Sequence, residues 1–219
     1  KYTKEEKVIA IGETGLDYFR SNGDLTWQNY FRGGQAHNTI TVDERSASRL
    51  VGRLGYAHVP EVRQTFATFQ PDFAVVEAAY QGFGLGVTHR RGVFYRNEEY
   101  WLLFDSITGE GEHTLERWFH FAPDCQVHHT SAGVSATLPR FGRLLLRELA
   151  PNHVEVEMFK GGSKPELGWC APGYGVKLPA PVARLRTHAH LPQRFCTLLL
   201  PYREKVPALQ HEIEGAFGA

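Results

Sequence analysis

His37 stands in Ala36-His37-Asn38-Thr39, directly ahead of the alternating run Thr39-Ile40-Thr41-Val42-Asp43. A neutral imidazole at the mouth of a strand suits a zinc ligand or a general base. Asn38 beside it can fix a turn through its own side chain. A polar residue that only closes the end of a sheet has the same pattern, so ligand, base and structural roles stay open. Further on, His89-Arg90-Arg91 in an extended segment puts His89 and Arg91 on one face and Arg90 on the other. Two cations on one face can meet a carboxylate or a sulfate, since guanidinium pairs with either in bidentate fashion. A solvated sheet face reads the same way. His188 and His190 share a face at i, i+2, as two metal ligands require, yet no third ligand lies close by in sequence. His120 alternates with aromatic residues in ERWFHFAP, where a histidine is more often structural than catalytic. Gly82, Gly84 and Gly86 in GFGLGV superficially match a nucleotide loop. That fingerprint needs a strand before it and a helix after it, whereas here strands flank both sides, which favours a tight β turn.

The elements that must position these residues are strands. Period-2 alternation marks 39–43, 73–80, 86–95, 100–104, 114–121, 133–138, 143–149, 153–159, 182–188 and 194–200. Turn-forming clusters separate them, among them RNEE, ITGEGE, LPRFG and KGGSKPE. No long segment carries a helical stripe, and PALQHEIEGAFGA at the end allows one short helix. Many short strands between Gly/Pro turns predict an all-β fold, a large antiparallel β-sandwich or a barrel.

Composition narrows the function. The 219 residues suit one large domain with a sizeable core. Lys plus Arg and Asp plus Glu balance at 24 each, which argues against a general nucleic-acid or membrane-surface partner. Cys125, Cys170 and Cys196 are far apart and odd in number, so neither a CxxC site nor a full disulfide framework is expected. The sequence contains no apolar run of membrane-spanning length and no signal-peptide pattern, and it begins without Met, as a fragment can.

The stretch WQNYFRGGQAHNTITVD resembles the heparinase II/III-like polysaccharide lyases, which carry a Trp-Arg-x-Tyr-Phe-Arg segment leading into Ala-His-Asn-Thr. VEAAYQGFGLGVTHRRGVFY, YWLLFDSITGEGEHTLERWFHFAPDC, GWCAPGYGVKLPAPVARLR and LPQRFCTLLLPY are similar to later segments of that family, in the same order. The resemblance covers roughly residues 24–203 and implies the C-terminal β-sandwich of a lyase whose N-terminal α/α toroid is absent here. It implies an acidic, uronate-containing polysaccharide as substrate and a toroid domain of the same protein as partner. It also implies a periplasmic or secreted location. The chemistry would be β-elimination: charge stabilisation at the uronate carboxylate, removal of the C5 proton by a base, and protonation of the departing O4 by an acid. Most of the catalytic groups would lie in the toroid and in a His-x-His segment that precedes this stretch in the family. The resemblance further implies one structural zinc ion, with His37 as ligand and Glu13, or alternatively Asp17, in place of the family's Asp. Tyr80, His89 and Arg91 are the candidates for the glycan-facing surface, Tyr for stacking and Arg for carboxylate.

A second likeness is shorter. KVIAIGETGLDYFRSNGDLTWQ resembles a segment of TatD-type metal-dependent deoxyribonucleases, in which the Glu matching Glu13 binds a metal. Such an enzyme needs parallel strands alternating with helices, and the downstream pattern shows no such alternation. The expected division is an atypical segment 1–23, a sandwich 24–210 and a tail 211–219. A non-catalytic carbohydrate-binding or domain-docking sandwich is the other reading.

Overall fold

The alternating segments form two facing antiparallel sheets in the computed structural model, which describes residues 25–52, 55–138, 142–150, 153–173 and 175–206. The smaller sheet runs β1 (Ile40–Val42), β8 (Glu112–His120), β15 (Val182–His190), β12 (Glu155–Phe159). The larger sheet has eight strands. One half is β4 (Arg63–Phe69), β5 (Phe73–Gly82), β6 (Val87–Arg96) and β7 (Tyr100–Thr108). The other half continues from β7 through β16 (Gln193–Tyr202), β11 (Gly142–Glu148), β10 (Gly133–Leu138) and β9 (Gln126–Thr130). Two hairpins stand apart, β2 (Arg49–Val51) with β3 (Gly55–His58) and β13 (Trp169–Gly173) with β14 (Val176–Pro179).

Period-2 alternation decides what faces the core. Along β8, Leu115, Arg117 and Phe119 point at the larger sheet, while Glu116, Trp118 and His120 point away from it. The inter-sheet core joins Phe119, Phe121 and Leu185 to Val134, Ala136, Leu144 and Leu146, and continues through Ile40, Val87, Ile107 and Phe195. Each such Leu, Ile or Phe side chain contributes about 1.5–3 kcal/mol by leaving water. The outer face of the small sheet is covered as well. Trp27, Tyr30 and Phe31 lie at helical spacing on α1 (Thr26–Arg32), and Tyr30 and Phe31 pack on Trp118 and Val182. Gly33, in extended conformation, ends the helix.

All ten predicted strands are present, most shifted or lengthened by a few residues. The second half of β7, beyond Phe104, lies outside the predicted 100–104 and carries Asp105. Strands β2, β3, β4, β9, β13 and β14 and the helix α1 were not expected. The helix is only two turns long, too short for periodicity to separate from noise, and β3 and β4 are exposed on both faces, so no alternation marks them. Every strand pairing described is antiparallel, unlike the parallel barrel of the nuclease reading. Glu13, Asp17, the segment 1–23 and the C-terminal tail 211–219 with its short helix lie outside the described residues.

Candidate functional site

Three neighbouring strands bring four of the polar side chains together on the inward face. Across β5, β6 and β7, Tyr80 faces His89, and Arg91 faces Asp105. The Asp105 carboxylate is fully buried and accepts from His89 Nε2 at 2.6 Å, Arg91 Nε at 2.7 Å and Arg91 Nη2 at 3.0 Å. His89 Nδ1 lies 2.9 Å from the Tyr80 hydroxyl, so the imidazole bridges phenol and carboxylate. Burial acts to raise the Asp105 pKa, but the Arg91 charge and the His89 hydrogen bond outweigh it and hold the carboxyl far below the usual range. The same arithmetic keeps Arg91 charged: desolvation opposes the cation, and Asp105 overcomes it. Burial raises the Tyr80 pKa, so its phenol stays protonated at neutral pH.

The remaining guanidinium nitrogen of Arg91, Nη1, is directed at the Ala-His-Asn-Thr segment. Its Nη1 donates to the Asn38 carbonyl oxygen at 2.6 Å. The Asn38 side-chain oxygen in turn accepts from the His120 backbone N–H at 2.7 Å. Thr39 Oγ1 lies 3.4 Å from the Tyr80 hydroxyl. Asn38 is therefore tied by its main chain to the large sheet and by its side chain to the small one. His37 Nε2 donates to the Phe31 carbonyl at 3.0 Å, which fastens the segment to α1. His120 is 2 % exposed; its Nε2 donates to the Gln35 carbonyl at 3.1 Å, while its buried Nδ1 has no hydrogen-bond partner. Burial, reinforced by nearby His37, pushes the His120 pKa down to about 3, so this imidazole is neutral.

The predicted residues thus take different places. Tyr80, His89 and Arg91 do come together, but His89 is buried between Tyr80 and Asp105, and Arg91 is spent on Asp105 and Asn38. His37 sits beside His120, where the pair offers two imidazoles and no carboxylate. Among the described residues no group of three or more His, Cys, Asp and Glu side chains is placed to hold a metal. A structural zinc takes four ligands, so the described residues alone do not fit one. His188 is exposed and pairs with Thr114 and Glu112, with no third ligand beside it. Asp105 was missed because the predicted strand stopped at Phe104. The hairpin turn centred on Glu98 would have revealed it, since the register that pairs Arg96 with Tyr100 also pairs Arg91 with Asp105.

The chain matches the family described as heparinase II/III-like, C-terminal, over residues 9–208. It belongs to that family. Among curated proteins it is 24% identical over 148 residues to a heparin-sulfate lyase of Bacteroides thetaiotaomicron, covering 66% of this chain and 19% of that one. A separate match, 45% identical over 42 residues, is to an uncharacterized metal-dependent hydrolase of Buchnera aphidicola; it covers 19% of this chain and 16% of the other. Among solved structures, the heparan sulfate lyase HepC of Pedobacter heparinus superposes with a TM-score of 0.74 at 18% identity, over 90% of this chain and 29% of that one. A heparinase III structure superposes with a TM-score of 0.67 at 20% identity, over 88% and 28%. These superpositions establish the fold, a heparinase-like β-sandwich. The chain spans less than a third of the length of these lyases.

Proposed function

We propose that this chain is the sandwich domain of a lyase that cleaves an acidic, uronate-containing polysaccharide by β-elimination, working against an α/α toroid. The observation that carries this reading is the clamp on Asn38, by which the inward charges of the large sheet hold the Ala-His-Asn-Thr segment in place. The sandwich positions that backbone segment, with His37 in it and His120 bonded to the Gln35 carbonyl just before it. The Tyr80 phenol holds its proton at neutral pH and the His120 imidazole is a weak base, so neither suits removal of a C5 proton. The remaining acid and base would come from the toroid. A structural zinc on His37 belongs to the same reading only if carboxylates such as Glu13 or Asp17 complete it.

The test is direct. The chain, alone and mixed with a toroid domain from a related lyase, is incubated with heparan sulfate and with alginate, and the ultraviolet absorbance of the unsaturated uronate product is followed. Turnover that needs both parts supports the reading. Binding of acidic glycan without turnover in any combination makes the chain a binding module instead.

A further inference from the structure

A cleft of about 1020 Å³ opens between the β2–β3 hairpin and the turn that joins β5 to β6. Its lining shares no residue with the Asn38 clamp, although Phe83 on its floor lies 6.0 Å, ring to ring, from Tyr80. Its lining brings together Arg45, Arg49 and His58, all exposed, over an apolar floor that includes Leu50 and Phe83. No acidic side chain lines it among the described residues. Of the neighbouring carboxylates, Asp43 bonds His113 and the Thr114 amide and also feels the Arg45 charge, and the exposed Glu44 directly precedes Arg45 in the chain. Arg49 and His58 form no side-chain hydrogen bond or ion pair with any described residue, which leaves their cationic and hydrogen-bonding groups for a ligand.

The walls are fixed in place by the chain around them. Arg32, at the end of α1, donates to the Gly55 carbonyl at 2.6 Å and stacks 4.4 Å over the Tyr56 ring, anchoring the β2–β3 hairpin. On the opposite wall, Phe83 and Gly84 both hold positive φ, +66° and +67°, an arrangement that makes a tight hairpin turn. Gly82 is in close contact with Ala47, where a Cβ would come within 3.2 Å of that residue's backbone. Nothing lies within 4 Å of where a Cβ would project from Gly84 or Gly86, so this backbone is open to a ligand.

We propose that this cleft is a subsite for an anionic sugar unit, with the Arg45 and Arg49 guanidinium groups receiving its sulfo or carboxylate group. A guanidinium group matches the fork geometry of those anions, and the apolar floor suits the face of a pyranose ring. The volume exceeds what one sugar ring fills, so the cleft takes more than one residue of a polysaccharide. The inference rests on the acidic-glycan reading above.

The test is calorimetric titration of the full chain with size-matched oligosaccharides of heparin, of alginate and of a neutral glucan. The wild-type chain should bind both acidic ligands and not the neutral one. R45Q/R49Q should lose about tenfold or more of that affinity, the single variants less, because each removes a charge-assisted contact from an exposed side chain without disturbing the core. A stronger effect on heparin than on alginate assigns the pair to a sulfo group, and an equal effect assigns it to the carboxylate. Arg96→Gln, at the far hairpin where it pairs with Asp72, is the control and should bind normally. Undiminished binding by R45Q/R49Q overturns the subsite and leaves the acidic-glycan reading standing. An equal loss in Arg96→Gln also overturns it, since diffuse charge then suffices. No binding of either acidic ligand by the wild-type chain overturns both.

Discussion

Replacing Asp105 by Ala tests whether the buried network orders the site. The carboxylate is fully buried and receives three charge-assisted hydrogen bonds, from His89 and twice from Arg91. Removing one member of a buried ion pair costs about 3–5 kcal/mol, because the surviving charge is left desolvated. Arg91 is 20% exposed and keeps the Asn38 carbonyl, so the expected loss is near the lower end, about 3 kcal/mol. A double-mutant cycle with Arg91→Leu separates the pair from mere packing. With both charges gone, no buried charge is left unpaired, and the double variant should recover about 2 kcal/mol relative to the sum of the singles. Urea unfolding at neutral pH measures both quantities. The acid side carries a sign as well. The folded pKa of Asp105 is depressed, so its contribution is complete above the ordinary carboxylate pKa of about 3.9 and fades only as pH falls below it. An Asp105→Ala loss below about 1 kcal/mol, or strictly additive singles, would refute the argument that Arg91 and Asp105 act as a unit.

Three other outcomes follow from the geometry. Gly168→Ala should destabilise the fold by about 2 kcal/mol or more in thermal or urea unfolding, since its φ is +77° and a Cβ would stand 2.7 Å from the Lys160 Cα. His120→Gln should flatten the acid branch of the stability profile. The depressed pKa of His120 makes wild-type stability fall as pH drops from about 6.5 toward about 3, whereas Gln keeps an N–H for the Gln35 carbonyl and binds no proton. The proton uptake on unfolding near pH 5 should therefore drop by about one. Arg32→Ala should speed amide exchange in Gly55–His58 while leaving global stability within about 1 kcal/mol, because the bond it removes is exposed and local.

Strand positions were legible because alternation survives wherever one face is buried. β10 and much of β15 carry that pattern in their burial, and the sequence places both of them. The β2–β3 hairpin and β4 were not legible, since side chains exposed on both faces leave no period to read. For the site, spacing pointed to His37, His89 and Arg91 and the family resemblance added Tyr80, and all four belong to one connected cluster. What they do there depends on partners distant in sequence. Asp105 turns His89 from a surface candidate into a buried bridge, and the Asn38 carbonyl is a backbone group that no side-chain motif announces. The basic cleft was equally hidden, because Arg45, Arg49 and His58 meet only when the hairpin folds back over the Gly82–Gly86 turn.

Among the described residues, the inward face of this sandwich holds two arginine–carboxylate pairs, Arg91 with Asp105 and Arg117 with Glu148. Apolar residues of like volume would hold two sheets together at least as well, since desolvation offsets much of what a buried pair gains. The pairs therefore call for a reason other than cohesion. For Arg91 that reason is visible. Two of its N–H groups are locked on a carboxylate that never protonates at working pH, which aims the third at the Asn38 carbonyl. A leucine could fill the space but could not fix a backbone carbonyl. Arg117 differs: it stacks 3.9 Å from the Phe195 ring and bonds Glu148 and Thr197, yet its Nε and Nη2 meet no acceptor, so it orders nothing comparable. The contrast assigns the costlier interaction to the place where backbone position matters, the Ala-His-Asn-Thr segment.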